Sequence, residues 1–227
     1  MKMYATTFVC LICVLFPVAA KSAGNSVLIS QDGYLITAEH VIAGCTTLNA
    51  VSIGPVIATG HDKENDLALL KSNGRITAEP LRLSMAAVRP GDEVIAVGYP
   101  LQGILGGLNI TIGIVHDLPN NSARLEFTAP AVQPGNSGGA LLDRSGTLVG
   151  ILSSKRTLRG VFGTLVGILS SVHTFGGGVF AVRREVIQKF LTAQSVRPVL
   201  ADGKPQRSRE EIVELARNSV FAIECLN

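Results

Sequence analysis

Residues 133–139 constrain this chain more than any other stretch. Their sequence, Gln-Pro-Gly-Asn-Ser-Gly-Gly, places three glycines around one serine, and glycine adopts tight or left-handed backbone conformations at little steric cost. We therefore expect a tight loop that holds the hydroxyl of Ser137 beside inward-pointing backbone amides. A serine hydroxyl is a weak nucleophile at neutral pH, so it needs a base and a carboxylate from elsewhere in the chain.

Upstream, one histidine and one aspartate lie in contexts that suit these two roles. His40 ends the run Gly-Tyr-Leu-Ile-Thr-Ala-Glu-His, and Asp66 precedes the apolar run Leu-Ala-Leu-Leu. Each block alone has an ordinary structural explanation, because glycine-serine runs are usually turns and single histidines or aspartates are usually structural. Their joint occurrence in the order His, Asp, Ser favours a nucleophilic triad over coincidence.

These three blocks resemble those of the trypsin/chymotrypsin-like serine peptidases, and their order separates that family from subtilisins and α/β-hydrolases. The pattern Gly-Asp-x-Val-x-Ala-x-Gly-x-Pro at residues 91–100 is similar to bacterial high-temperature-requirement (HtrA/Deg-type) proteases. The resemblance implies an all-β, chymotrypsin-like fold of two six-stranded antiparallel β-barrels with short C-terminal helices. It also implies an oxyanion hole formed by the amides of Gly135 and Ser137, with Asn136 a loop residue whose side chain has no required role.

The same resemblance suggests the specificity pocket of an enzyme that acts on polypeptides. Ala131 stands six residues before Ser137, where trypsin-like enzymes carry an aspartate, which implies small or medium apolar side chains before the scissile bond. The other expected pocket residues are Leu152, Ser153 and Ser154. Asn136 replaces the aspartate that pairs with a freed N-terminus in trypsin zymogens, so activation by N-terminal insertion is not expected.

The N-terminal residues 1–20 are typical of a secretory signal, with Lys2 followed by an apolar run and the small residues Val18, Ala19 and Ala20. The apolar run is shorter than the roughly 20 residues that span a bilayer, so no stable membrane anchor is expected. We expect a secreted or periplasmic protein. Its peptidase domain would cover residues 21–194, with lobes over about 21–88 and 89–194. Residues 195–227, a linker, helix and strand, are too few for a PDZ domain.

Once the signal is removed, the remaining cysteines are Cys45 and Cys225. An even pair in an oxidising compartment predicts one disulfide, and two separate buried thiols are the alternative. Residues 219–225 have the composition of the apolar strand that family members carry before the first hairpin and that this chain lacks. We therefore expect the C-terminal strand to pack on the first lobe and bring Cys225 to Cys45, and a frayed tail is the alternative.

Composition argues against several other classes of function. Only 16% of the residues are charged, the formal net charge is +3, and no basic stretch is interleaved with aromatic residues, so nucleic acid binding is not expected. The histidines outside the triad block are His61, His116 and His173, and none has the spacing of a zinc site. We therefore expect neither a metal nor a cofactor.

An internal repeat departs from the family pattern. The nine residues 146–154 recur at 163–171, within a duplication of residues 146–162 as 163–180. Two copies compete for one strand position after the nucleophile, and we expect the first copy to take it. The duplication favours an alternative function, a secreted protease-fold binding protein without turnover. A third interpretation, a non-protease acyl hydrolase, lacks the Gly-x-Ser-x-Gly elbow and the Ser-Asp-His order.

Overall fold

The computed structural model describes residues 21–100, 107–116, 122–153, 179–201 and 206–226. Within these ranges the strands are β1 Lys21–Leu28, β2 Tyr34–Thr37, β3 Thr47–Ala50, β4 Gly54–Asp62, β5 Leu67–Ser72, β6 Glu93–Gly98, β7 Asn109–Val115, β8 Arg124–Thr128, β9 Ala140–Leu142, β10 Leu148–Ser153, β11 Val179–Arg183 and β12 Val220–Leu226. The helices are α1 Glu39–Ile42, α2 Arg184–Ala193 and α3 Arg209–Ser219. The expected signal segment lies outside the described residues.

The strands form two closed antiparallel barrels. The first barrel has the strand order β1-β12-β3-β4-β5-β2, and the second has the order β10-β11-β8-β7-β6-β9. All the pairings between these strands are antiparallel. The predicted all-β class with two six-stranded barrels is confirmed.

The first hairpin shows how local sequence carries a site residue into place. Its turn is closed by the backbone bonds of Gly33 to Ser30 and of Ile29 to Tyr34. Gly33 has φ +80°, a left-handed conformation that favours glycine over residues with a side chain. Strand β2 then runs directly into the single turn of α1, which carries His40. The hairpin therefore delivers the histidine to the edge of the first barrel.

One expected strand proves to be two. The apolar residues within 50–57 predict one continuous strand, but β3 ends at Ala50 and β4 begins at Gly54. The chain reverses between them through left-handed conformations at Ser52 (φ 70°) and Gly54 (φ 104°). The apolar residues Val51 and Ile53 on either side of Ser52 concealed this turn, because only the glycine is a usual turn signal.

The hydrophobic core continues from one barrel into the other. Its largest cluster combines first-barrel residues such as Ile36 and Leu69 with second-barrel residues such as Val97 and Leu148, and helix α3 adds Ile212. Each barrel also has its own interior cluster. Because burial of apolar surface dominates stability, the two barrels are held against each other by the same force that closes each one.

The C-terminal segment completes the first barrel. Helix α3 begins with a capping box, in which the side chains of Ser208 and Glu211 each accept a hydrogen bond from the other residue's backbone amide. Strand β12 then pairs with β1 on one side and with β3 on the other. A disulfide joins Cys45 to Cys225, with the two Cα atoms 5.4 Å apart. Strand β12, near the C-terminus, thus lies between β1 and β3 and closes the first barrel.

The first copy of the internal repeat supplies β10, which pairs with β9 and β11. The second copy, residues 163–171, lies outside the described residues. No helix in the described part of the chain has both the length and the apolar character that crossing a membrane requires.

We predict that truncation after Arg207 abolishes both stable folding and activity, although every expected catalytic residue remains. The truncation removes β12, so β1 and β3 each lose one of their two neighbours and the first barrel opens. The core around the buried residue Ile223 is then exposed. Circular dichroism and thermal unfolding would measure the loss. A truncated chain that folds with native stability and full activity would contradict the role of β12.

The matched control is the double variant Cys45→Ser/Cys225→Ser, which keeps β12 and loses only the covalent link. Chain entropy for a separation of 180 residues gives at most about 5 kcal/mol of lost stability. This variant should therefore fold, with a lower midpoint in urea than the parent protein.

Candidate active site

His40 and Asp66 meet because strands β2 and β5 pair. In this pairing Thr37, the last residue of β2, lies opposite Ala68, so the turn that follows β2 and the residue that precedes β5 are neighbours. His40 Nδ1 lies 2.8 Å from Asp66 Oδ2 and 3.0 Å from Oδ1, and the His40 backbone amide donates to Oδ1 at 3.0 Å. The imidazole is therefore oriented by the aspartate through both its ring and its backbone.

The Asp66 carboxylate is fully buried and accepts a further hydrogen bond, from the Ser153 hydroxyl to Oδ2 at 2.6 Å. Burial by itself would raise the pKa of Asp66, but the hydrogen bonds from His40 and Ser153 and the charge of His40 outweigh it and hold the pKa below 3.8. The carboxylate is therefore ionised at neutral pH. An ionised acceptor at Nδ1 keeps a proton on that nitrogen, which leaves Nε2 as the basic nitrogen of neutral His40.

The loop of Ser137 is held by backbone bonds on both of its sides. Asn136 N donates to Gln133 O at 3.1 Å, and Gly139 N donates to Asn136 O at 3.0 Å. The loop is also paired with β10, since Gly138 N donates to Leu152 O and Leu152 N donates to Gly139 O. Strand β10 therefore fixes the serine loop and, through the next residue Ser153, the buried carboxylate.

The structure reveals one buried side chain that our sequence analysis missed. Asn25, on β1, is fully buried, and its amide nitrogen donates to Gly135 O at 2.7 Å while its amide oxygen accepts from Tyr99 N at 2.7 Å. No motif signals this residue. The available hint is a polar Asn-Ser pair directly before the apolar residues Val27 and Leu28 of β1.

The Asn136 side chain, for which we expect no required role, has a partner in the second barrel. It is buried, and its amide nitrogen donates to Asn109 Oδ1 at 3.3 Å. Since Asn109 begins β7, this bond ties the serine loop to the wall of the second barrel. The burial of this side chain is unusual, because asparagine is mostly exposed in folded proteins.

The expected pocket residues separate into different environments. The Leu152 side chain packs in the interior cluster of the second barrel, and the Ser153 hydroxyl donates to Asp66 Oδ2; their part in a specificity pocket stays a prediction. Ala131 is half-buried in the segment before the serine loop and stays a candidate. Ser154 lies outside the described residues.

Two of the other histidines have local partners. His61 Nδ1 lies 2.8 Å from Oε2 of the buried Glu39, which precedes His40, and His116 Nε2 lies 3.0 Å from Thr128 Oγ1. His173 lies outside the described residues.

Two closed barrels, with a histidine-aspartate pair in the first and a glycine-bounded serine loop in the second, are the arrangement of the chymotrypsin-like class of serine peptidases. A sequence profile described as the trypsin-like peptidase domain matches residues 24–151. The chain belongs to this family.

Several relatives are of the HtrA type. The chain is 34% identical over 146 residues to the serine protease Do-like HtrB of Bacillus subtilis, covering 58% of this chain and 32% of that protein. It is 34% identical over 159 residues to a probable periplasmic serine endoprotease, DegP-like, of Hahella chejuensis, covering 64% and 32%. The uncharacterized protein y4bJ of Sinorhizobium fredii is 33% identical over 217 residues, covering 91% and 33%. The chain thus spans about one third of these relatives.

Solved structures show the same likeness. The HtrA-type protease AlgW with a decapeptide superimposes with a TM-score of 0.57 at 28% identity, over 76% of this chain and 51% of that one. A serine endoprotease from Yersinia pestis gives a TM-score of 0.61 at 26% identity, over 78% and 58%.

We predict that Ser153→Ala destabilises the protein by about 1.5 to 3 kcal/mol at neutral pH, because a buried carboxylate loses a hydrogen bond. The lowered pKa of Asp66 means that its stabilising contribution is present above the unfolded pKa, near 3.8, and is lost as the pH falls through the folded pKa. The difference in the free energy of unfolding between Ser153→Ala and the parent protein should therefore shrink as the pH falls below about 3.8. Urea unfolding at a series of pH values measures it.

Ser84→Ala is the control for this prediction, because the Ser84 hydroxyl is also buried but bonds only the backbone of Ala86. Its destabilisation should not depend on pH. An equally pH-independent loss for Ser153→Ala would show that Ser153 does not act through the charge of Asp66.

Proposed function

We propose that the chain is a serine endopeptidase that hydrolyses peptide bonds through His40, Asp66 and Ser137 by way of an acyl-enzyme. The observation that carries this proposal is the His40–Asp66 pair. The buried, ionised carboxylate accepts the hydrogen bond of His40 Nδ1–H, and Nε2 is left as the base. Membership of the trypsin-like peptidase domain family makes peptide bonds the expected substrate.

In this mechanism, His40 Nε2 takes the Ser137 hydroxyl proton as Oγ attacks the carbonyl carbon of the substrate. The amides of Gly135 and Ser137 stabilise the oxyanion that forms. His40 then protonates the departing amine as the carbon–nitrogen bond breaks, and the acyl group stays on Ser137. Water, activated by His40 in the same way, releases the acid and restores the serine. Asp66 keeps the imidazole in the required tautomer and stabilises its protonated form throughout.

The setting in which this reaction would occur is extracytoplasmic. Three observations support this: the signal-like residues 1–20, the Cys45–Cys225 disulfide, and the periplasmic DegP-like relatives. Disulfides persist mainly in oxidising compartments. Polypeptide substrates are consistent with the decapeptide in the AlgW structure.

A protease-fold binding protein without turnover is the second candidate. The observation that favours it is the position of the repeat, since the additional copy enters the chain between β10 and β11. The connection that contains this copy begins directly after Ser153, the residue bonded to Asp66, so it leaves β10 beside the candidate site.

We predict that a fluorophosphonate probe labels Ser137 stoichiometrically and that His40→Ala abolishes the labelling. Ser137→Ala, His40→Ala and Asp66→Asn should each reduce peptide hydrolysis by several orders of magnitude without unfolding the protein, and double variants should cost little more, because a triad acts as a unit. Intact mass spectrometry and a fluorogenic peptide assay measure both effects. A folded protein that resists the probe would support the binding protein instead.

For specificity we predict cleavage after small or medium apolar residues, because Ala131 offers no charge at the position that carries an aspartate in trypsin-like enzymes. Mass spectrometry of a digested peptide library would give the profile. Ala131→Asp should shift cleavage toward lysine and arginine, through attraction between opposite charges. A parent profile dominated by arginine or lysine would refute the assignment of Ala131.

A further inference from the structure

The triad does not explain what holds the serine loop in the shape that the chemistry needs. An oxyanion hole works only if its two amides are fixed before the substrate arrives. In this chain the loop receives backbone bonds from its own barrel through β10, and it is also contacted by a residue of the other barrel, Asn25. This second contact links loop geometry to the first barrel.

Asn25 bonds the carbonyl groups of both residues whose amides are the proposed oxyanion donors. Its side-chain nitrogen donates to Gly135 O at 2.7 Å, and its backbone nitrogen donates to Ser137 O at 2.7 Å. The side-chain nitrogen also lies 3.5 Å from Ser137 O. A carbonyl that is fixed in direction limits the rotation of its residue, so these bonds restrain the two residues on either side of Asn136.

The orientation of the Asn25 amide is settled by its partners. The Tyr99 backbone N–H can only donate, so it requires the amide oxygen, while the Gly135 carbonyl can only accept and requires the amide nitrogen. Exchanging the two atoms would break both bonds. The side chain therefore has one satisfactory arrangement, which also anchors residue 99 at the end of β6.

Asn25 is itself held rigidly. The Thr37 hydroxyl donates to Asn25 O at 2.5 Å, and Thr37 ends the strand that leads to His40. The approach of the two barrels is close here, since a Cβ on Gly138 would overlap the Asn25 carbonyl and one on Gly24 would lie 2.9 Å from the Ser137 carbonyl oxygen. The contact leaves no room at these points for larger side chains.

We propose that Asn25 is a positioning residue that sets the oxyanion hole from the first barrel. The proposal rests on the proposed peptidase function for its catalytic consequence, but the restraint on residues 135–137 is a property of the folded protein. In a chain where N-terminal insertion is not expected, this asparagine supplies a fixed internal anchor for the loop.

The test compares Asn25→Ala with Ser26→Ala in the full chain. Ser26 is the adjacent residue and equally buried, but its hydroxyl donates toward Phe221 O and away from the serine loop. Hydrogen exchange of the peptide covering residues 133–139, measured by mass spectrometry, reports the loop directly. We expect exchange to rise about tenfold in Asn25→Ala, the effect of one lost hydrogen bond, and to stay at the parent rate in Ser26→Ala.

Kinetics supply the second measurement. Misplaced oxyanion donors weaken binding of the transition state and not of the substrate, so kcat should fall on the order of 100-fold while KM changes little. Ser26→Ala should keep the parent kcat. A general loss of structure would instead reduce the active fraction, which fluorophosphonate titration counts.

Asn25→Asp provides a variant of nearly the same shape, in case the alanine variant fails to fold. When ionised, the introduced carboxylate presents an acceptor to Gly135 O, but when protonated it can donate as the amide does. The ratio of the parent kcat to the variant kcat should therefore fall toward one as the pH is lowered. A ratio that does not depend on pH would oppose the proposal.

The outcomes separate the two proposals. If the parent protein hydrolyses no peptide and exchange still rises in Asn25→Ala, the peptidase assignment fails while the anchor is supported. If Asn25→Ala folds with parental exchange in residues 133–139 and parental kcat, the anchor is refuted and the peptidase assignment stands.

Discussion

The arrangement of the two barrels at the site depends on the hydrogen bonds to the buried carboxylate of Asp66. A charge fully removed from water is tolerated only when it is paired and hydrogen-bonded. His40 supplies that pairing from the first barrel, and Ser153 supplies a further bond from β10 of the second barrel. Separating the barrels would leave this charge with fewer partners in a dry environment. The same contacts that orient the imidazole therefore oppose any shift of one barrel against the other.

Most residues of the candidate site could be selected from the sequence, because each candidate catalytic residue lies in a short segment with a recognisable motif. Ser137, His40 and Asp66 each lie in a segment with a local signature, and the loop glycines 135 and 138 do adopt φ of +94° and +79°. The contacts that we did not foresee join residues far apart in the sequence, since Asn25 bonds the Gly135 carbonyl and Asn136 bonds the side chain of Asn109. Asn25 lies 110 positions from Gly135, and no local pattern reports a contact over that distance.

The fold could be predicted to a similar extent. Its prediction failed at one turn, again because a contact between residues far apart in the sequence decides the local structure. The family resemblance implied the two six-stranded barrels, and the C-terminal strand was expected in the first lobe from composition. The β3–β4 turn was missed because Ser52 takes a left-handed conformation that serine rarely adopts. Its neighbour Val51 donates from its backbone to Ala222 O in β12. This turn is therefore held by the last strand of the chain, which a local pattern at residues 50–57 cannot show.

The position of the repeat explains how a second copy can be carried without loss of the fold. Ser153, the last residue of β10, lies opposite Phe180 of β11, so the chain between them leaves and returns at adjacent points of one antiparallel pair. The entropy of closing a connection grows only with the logarithm of its length, and lengthening this one by a 17-residue unit costs about 1 kcal/mol. That is small beside the stability of a typical domain. The duplication is thermodynamically tolerable at this position, whereas the same insertion within β10 would break the strand that holds both the serine loop and Asp66.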